Sequence, residues 1–186
     1  MAKDTSTINW IDRQELDEME IDWSAPEFFP DLTQSKIIAV DLETRDPNLM
    51  SLGPGWARGD GYVVGIAVAA GDFNGYYPIR HLNGGNIAPE VVLKWLQKQL
   101  DTPHIHKVFH NATYDLGWLH HEGIKVSGKI IDTMVAAPLL NENKFSYSLD
   151  ALGREYLGER KNERLLRAAA KNWGVDPKAD MWKLPA

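Results

Sequence analysis

Apolar positions along this chain follow two rhythms. Lys36–Val40 and Tyr62–Ala70 are short, nearly unbroken apolar runs of strand length. Gly71-Asp72 suits a turn, so Gly75–Ile79 is predicted as a third strand closing a hairpin or meander. The period then lengthens. Pro89 fits the first turn of a helix over Glu90–Leu100, with Val92, Trp95 and Leu96 on one side. Lys107–Phe109 reads as a short strand feeding His110-Asn111, and Thr113–Glu122 as a helix stopped by Gly123. Ile130-Ile131 marks one more strand end. Helical spacing continues over Thr133–Leu140 despite Pro138, over Ser148–Leu157 up to Gly158, and over Glu163–Asn172 up to Gly174.

Between the first two strands, Gly53-Pro54-Gly55-Trp56 and Gly59-Asp60-Gly61 read as loops. Three antiparallel-looking strands followed by strand–helix alternation predict an α/β fold: a mixed sheet flanked by helices, of the ribonuclease H-like kind. Ahead of it, residues 1–35 read as an irregular arm broken by Pro26 and Pro30. Ile8, Trp10, Ile11, Trp23, Phe28 and Phe29 are apolar enough for parts of the arm to pack on the domain.

Composition narrows the function classes. The 186 residues contain no cysteine, which excludes disulfide scaffolds, thiolate zinc sites and cysteine nucleophiles. No apolar run approaches the ~20 residues of a membrane helix, and no secretory signal opens the chain, so a cytoplasmic setting is expected. The net charge of −6 is concentrated in the arm, where residues 1–31 hold nine acidic and two basic side chains. The remaining 18 basic and 17 acidic side chains leave the domain near neutral and able to approach a polyanion.

The candidate chemistry begins at Asp41-Leu42-Glu43-Thr44, at the expected end of the first strand. Residues two apart in an extended chain share a face, so Asp41 and Glu43 converge and each raises the other's pKa unless a cation intervenes. Oxygen-only ligands suit Mg2+ or Mn2+. The plain alternative is a solvated strand end. In His110-Asn111-Ala112-Thr113-Tyr114-Asp115, Asp115 falls in the first helical turn as a third carboxylate, with Asn111 available to a sugar or phosphate; the alternative there is helix capping. Together these segments bring three carboxylates to one sheet edge, an arrangement able to hold two divalent cations ~3.5–4 Å apart for phosphodiester hydrolysis. The histidines at 104, 106, 110, 120 and 121 lack a zinc pattern. The stretch Arg154–Lys171, with six basic and three acidic residues, is either a solvated helical face or a phosphate-facing surface.

From about Ile37 onward, the chain resembles the 3′–5′ proofreading exonuclease domain of family A DNA polymerases, especially bacteriophage-type relatives of bacterial DNA polymerase I. Ile38-Ala39-Val40-Asp41-Leu42-Glu43-Thr44 resembles the first exonuclease motif of that family, and Asn111-Ala112-Thr113-Tyr114-Asp115 the second. Val64-Gly65-Ile66-Ala67, Tyr77-Pro78-Ile79, Ile131-Asp132-Thr133-Met134 and Ser148-Leu149-Asp150-Ala151-Leu152 are similar stretches in the family's order. The resemblance implies that Asp41, Glu43 and Asp115 are catalytic ligands for two divalent ions, Mg2+ or Mn2+. It implies that Thr44 and Asn111 contact the 3′-terminal nucleotide of single-stranded DNA. Aromatic residues are expected to stack frayed bases, with Tyr114 and Trp118 as candidates against the commoner role of core packing.

The family's third motif, a tyrosine four residues before an aspartate, is not found: Tyr147 is followed by Ala151 and Tyr156 by Arg160 at that spacing. The expectation is therefore an exonuclease domain, residues 36–186, incomplete at its C-terminus. A polymerase chain or C-terminal segment would supply the third motif, and the isolated chain would be a weak nuclease. Two other functions share these features, an RNase D-like ribonuclease and a non-catalytic DNA-binding or assembly subunit of a split polymerase. The expected setting is a bacterial or phage-infected cell.

Overall fold

The computed structural model describes residues 24–186. Five strands form one mixed sheet: β1 (Ile37–Arg45), β2 (Tyr62–Ala70), β3 (Phe73–Pro78), β4 (His106–Phe109) and β5 (Ile130–Asp132), in the order β3-β2-β1-β4-β5. β1 pairs antiparallel with β2, and β2 with β3; β4 joins β1 in parallel, and β5 joins β4 in parallel. This is the mixed α/β architecture that the element order predicts. The strand over Tyr62–Ala70 has the expected bounds, as does the helix over Thr133–Leu140 with Pro138 inside it.

β1 departs from expectation in one informative way. It does not end at Val40 but runs on through Asp41, Glu43 and Arg45, because the nine-residue β2 keeps pairing with it as far as Arg45↔Tyr62. A strand with a backbone ladder on one side tolerates polar side chains on its open face, so Asp41 and Glu43 lie within β1 rather than in a loop after it. The register slips by one residue where Glu43↔Gly65 is followed by Thr44↔Val63, leaving Val64 as the extra residue. Its carbonyl accepts from the amides of Ile79 and Arg80 instead, 2.9 Å each.

Alternation along β1 divides the sheet. Ile38, Val40 and Leu42 point into the core with Ile66 and Val68 of β2, whereas Ala39, Asp41 and Glu43 occupy the opposite face. The remaining helices are α1 (Leu49–Leu52), α2 (Pro89–Leu100), α3 (Ala112–His121), α4 (Thr133–Leu140), α5 (Leu149–Tyr156) and α6 (Arg164–Trp173). α2 contributes Val92, Trp95, Leu96 and Leu100 to the core, and α3 contributes Trp118 and Leu119. Burying these aliphatic and aromatic side chains stabilises the fold by roughly 1.5–3 kcal/mol each.

The region read as loops between β1 and β2 contains α1 and a short 3-10 turn, Gly55–Ala57. Of the N-terminal arm, residues 24–36 carry no regular element but do pack on the domain. Leu32 is buried and its amide donates to Gln99 at 2.8 Å, Trp95 Nε1 donates to the Pro30 carbonyl at 2.7 Å, and Phe29 stacks on Tyr77. Ile8, Trp10, Ile11 and Trp23 lie outside the described residues. Among the described residues, no helix is long and apolar enough to cross a membrane.

Candidate active site

The candidate acids are placed by three elements. Asp41 and Glu43 stand two apart on the open face of β1, opposite Ala67 and Gly65 of β2. β4 pairs with β1 only from Ile37 to Ala39, so beyond that point this edge of β1 has no strand partner. Asp115, in the first turn of α3, takes over there: its carboxylate accepts the Leu42 amide and is 3% exposed. Asp115 is thus fixed to the strand that carries the other two acids.

Their electrostatics follow from that crowding. Burial pushes Glu43 up to about 7, and the Asp41 charge adds to it while Lys161 opposes it. Asp115 is likewise pushed up to about 7, first by burial and then by Asp41, with smaller contributions from Asp132 and Glu43 against the Leu42 amide. Asp41 keeps part of its surface in water, yet burial between strand and helices still raises its pKa, against the nearby charges of Lys161 and His110. Lys161 lies in the basic stretch singled out from the sequence. Composition marked the stretch, but the approach of this one lysine to Asp41 and Glu43 had no local signal.

Asn111 has φ +73° and ψ +55°, making it the one non-glycine residue with positive φ among those described. Asn tolerates that conformation better than most residues, and its presence beside the acids marks a constrained site. The side chain of Asn111 does not cap α3. That task falls to Asp132 at the end of β5, whose two carboxylate oxygens accept the amides of Asn111 (3.1 Å) and Ala112 (2.8 Å) as well as that of Met134 in α4 (2.9 Å). Burial alone would raise the Asp132 pKa, but the amides of Ala112, Asn111, Met134 and Val135 outweigh it and hold this carboxyl below its usual range. The Asn111 side chain is therefore not the cap, while Asp115 stands in the first turn as an acid at a helix N-terminus can, with its carboxylate also accepting the Leu42 amide. Asp132 lies in the family-like stretch Ile131–Met134, but its capping of α3 across 20 residues has no local signal in the sequence.

Thr44 and Tyr114 are brought together: Thr44 Oγ1 and the Tyr114 hydroxyl are 2.7 Å apart, and the same hydroxyl donates to Asp46 Oδ2 at 3.1 Å. Tyr114 meets Trp118 edge-on, with ring centroids 6.5 Å apart. Trp118 is completely buried, so it is a core residue and has no face left for a base.

Glu43, Thr44, Asn111 and Tyr114 line one cleft of about 1070 Å³, walled by Leu49 and Met50 on one side and by Asp176–Lys183 on the other. Asp41 opens on a second depression of about 620 Å³, beside Tyr76, His110 and Thr133. Asp41 and Glu43 thus border different hollows, and Asp115 lines neither.

Among the described residues, no three histidine or acidic side chains are already gathered into a group that could hold a metal ion. Nevertheless the Asp41 charge raises both Glu43 and Asp115, the Glu43 charge adds to Asp115, and burial raises the pKa of all three. A hard divalent cation relieves that repulsion and is matched by oxygen donors, so the donor set fits such an ion.

Comparison with known proteins supplies an independent measure. A family model described as 3′–5′ exonuclease matches residues 20–184. The DNA-directed DNA polymerase of Pseudomonas phage M6 is 43% identical over 171 residues, covering 89% of this chain and 26% of the polymerase. The chain thus spans about a quarter of that relative's length. Among solved structures, Brucella melitensis NrnC with bound Mg2+ matches with a TM-score of 0.53 at 21% identity, over 75% of this chain and 61% of NrnC. The POL domain of Pol1 from M. smegmatis, in complex with DNA primer-template and dNTP, also gives 0.53, at 20% identity, over 81% of this chain and 24% of that one. At these identities the structures establish the fold, the ribonuclease H-like sheet expected from the element order.

Proposed function

The chain belongs to the 3′–5′ exonuclease family of A-type DNA polymerases, and from that premise we propose that it forms the hydrolytic part of a proofreading site for DNA. One observation carries the reading: Asp41 and Glu43 share one face of β1, Asp115 is held to the same strand through the Leu42 amide, and the Asp41 charge reaches both other acids. In this reading the three acids hold two divalent ions, Mg2+ or Mn2+. The chemistry those ions supply when bound is an activated water and a stabilised leaving oxygen at the 3′-terminal phosphodiester.

This chain's own residues do the positioning. The Leu42 amide fixes Asp115, and Asp132 fixes the start of α3 and the strained backbone of Asn111. Asn111 and Thr44 face the cleft as polar contacts for the terminal nucleotide, and Leu49, Met50 and Trp182 offer apolar surface to its bases. Tyr114 acts through its hydroxyl, which holds Thr44 in place. A polymerase chain or further C-terminal segment brings the remaining motif, in the cytoplasm of a bacterial or phage-infected cell.

The test is degradation of 5′-labelled single-stranded DNA with Mg2+ or Mn2+, with and without a polypeptide carrying the third exonuclease motif. Shortening from the 3′ end that needs the added polypeptide and is abolished by Asp41→Ala is the expected result. Preference for a matched RNA would favour the RNase D-like function. An unchanged rate in Asp41→Ala would make the carboxylates structural.

A further inference from the structure

The role of Glu43 as a metal ligand leaves open what keeps its side chain in place, and the structure offers a specific answer on the other side of the sheet. Tyr76 of β3 pairs with Ala67, which in turn pairs with Asp41, so all three share the open face. The tyrosine leans diagonally from that row across Gly65, the residue directly opposite Glu43. A Cβ on Gly65 would come within 2.0 Å of the Tyr76 hydroxyl, so only glycine leaves room for the ring to lie there. The Glu43 charge reaches that hydroxyl: after burial, it is the second cause of a raised Tyr76 pKa.

Tyr76 is itself held from behind. Its hydroxyl is 2.7 Å from His81 Nε2, and His81 Nδ1 is 3.1 Å from the Leu184 carbonyl, 103 residues on in the chain. A carbonyl only accepts, so Nδ1 carries the proton; burial lowers the His81 pKa and so favours the neutral ring, in which Nε2 accepts and the Tyr76 O–H donates to it. His81 is 7% exposed, and its backbone is clamped by both amide atoms of Asn86 at 2.7 Å. Around it, the C-terminal segment is laid along the 82–84 turn. The Leu82 amide donates to the Trp182 carbonyl at 2.9 Å, the Asn83 side chain donates to the Lys183 carbonyl, and the Ala186 amide donates to Gly84 at 3.2 Å.

We propose that Tyr76 is a positioning residue for Glu43, and that the His81–Leu184 link couples this acid to the seating of the Trp182–Ala186 segment. Because the tyrosine proton is committed to His81, Glu43 finds a fixed wall on the β2–β3 side without a donor that competes with a cation for its oxygens. The carboxylate is thereby directed toward Asp41 and Asp115. The C-terminal segment lies far from the acids in sequence, yet it is connected to one of them through two side chains.

This inference rests on Glu43 being a metal ligand, and the test separates the two. Mn2+ alone is titrated into the full chain and followed by electron paramagnetic resonance, with near-ultraviolet circular dichroism reporting the fold. Glu43→Gln serves as reference. Tyr76→Phe, which keeps the ring over Gly65 and deletes only the hydroxyl, is expected to weaken Mn2+ binding about tenfold or more with an unchanged fold, the size found for residues that orient metal ligands. His81→Leu is expected to lose affinity in the same direction, and His81→Gln, which keeps a polar partner for the hydroxyl, to recover much of it. A Tyr76→Phe chain that binds Mn2+ within twofold of the wild type, while Glu43→Gln is clearly weakened, would overturn the positioning role. Unchanged binding in Glu43→Gln would overturn the ligand assignment, and the positioning role with it.

Discussion

Asp132 Oδ2 accepts the Ala112 amide at 2.8 Å across 20 residues of sequence, so the helix that carries Asp115 is capped by a side chain from the neighbouring strand. The same carboxylate also caps α4 through Met134. Replacing it with alanine removes the acceptor from three helix-end amides. Asp132→Ala is expected to lower stability by about 1–2 kcal/mol, at the upper range for a lost cap, read from urea denaturation. The effect depends on pH in a defined direction. Because the folded pKa is depressed, the contribution is complete above the unfolded value of about 4 and disappears as pH falls below it, so wild type and variant should converge in acid.

Glu43 and Asp115 titrate the other way. Their folded pKa values of about 7 lie above the unfolded ones, so the folded chain holds protons that the unfolded chain has released. Their contribution is whole below about pH 4 and is lost as pH rises through about 7. With a chelator present, the melting temperature should fall between pH 5.5 and pH 8. Mn2+ should restore it at pH 8, with release of protons on binding. Asp115→Asn, which can still accept the Leu42 amide, should flatten this fall and lose the response to Mn2+. A pH profile identical to that of the wild type would count against the raised value at Asp115.

Tyr114→Phe tests the polar knot beneath Thr44. Asp46 Oδ2 would keep the Gly55 amide at 2.9 Å but lose the tyrosine hydroxyl, while its other oxygen is already buried without a partner among the described residues. The expected cost is about 1–3 kcal/mol of stability, with weaker single-stranded DNA binding as Thr44 loses its support. Calorimetry and fluorescence anisotropy measure the two effects separately.

Gly117 is a packing requirement of a different kind. A Cβ there would lie 2.2 Å from the Trp56 ring, where α3 presses against the 3-10 turn after α1. Gly117→Ala should destabilise the domain by roughly 1–3 kcal/mol despite alanine's better helix propensity. A gain in melting temperature would show that Trp56 has room to move.

The sequence was most legible where a segment's neighbours in space are also its neighbours in the chain. Tyr62–Ala70 is a strand because its apolar run says so, and the helical spacing read from Ser148 is α5, with Ser148 as its cap. Pro89 opens α2 for the same local reason. Legibility ended where partners are distant. The far end of β1 depends on β2, and the freedom of the Asn111 side chain depends on Asp132. The seat of His81 depends on Leu184. None of these leaves a periodic trace in the sequence. The motif residues converged because both motifs adjoin strands that pair in parallel, β1 and β4, whereas Trp118, equally aromatic and equally near, faces the core instead of the cleft.

The two-faced character of β1 has a consequence for how such a domain diversifies. Its acids stand on one side of a strand whose other side is the keel of the hydrophobic interior, through Ile38, Val40 and Leu42. Inserting or deleting one residue in that strand would turn keel into deck and submerge the carboxylates. The cleft is bordered instead by α1, which is no part of the sheet, and by the 176–183 stretch, whose Trp182 ring lies 4.9 Å from the Arg45 guanidinium of β1. Descendants of this architecture can therefore remodel what the cleft accepts by exchanging α1, while the carboxylates keep their places on the strand.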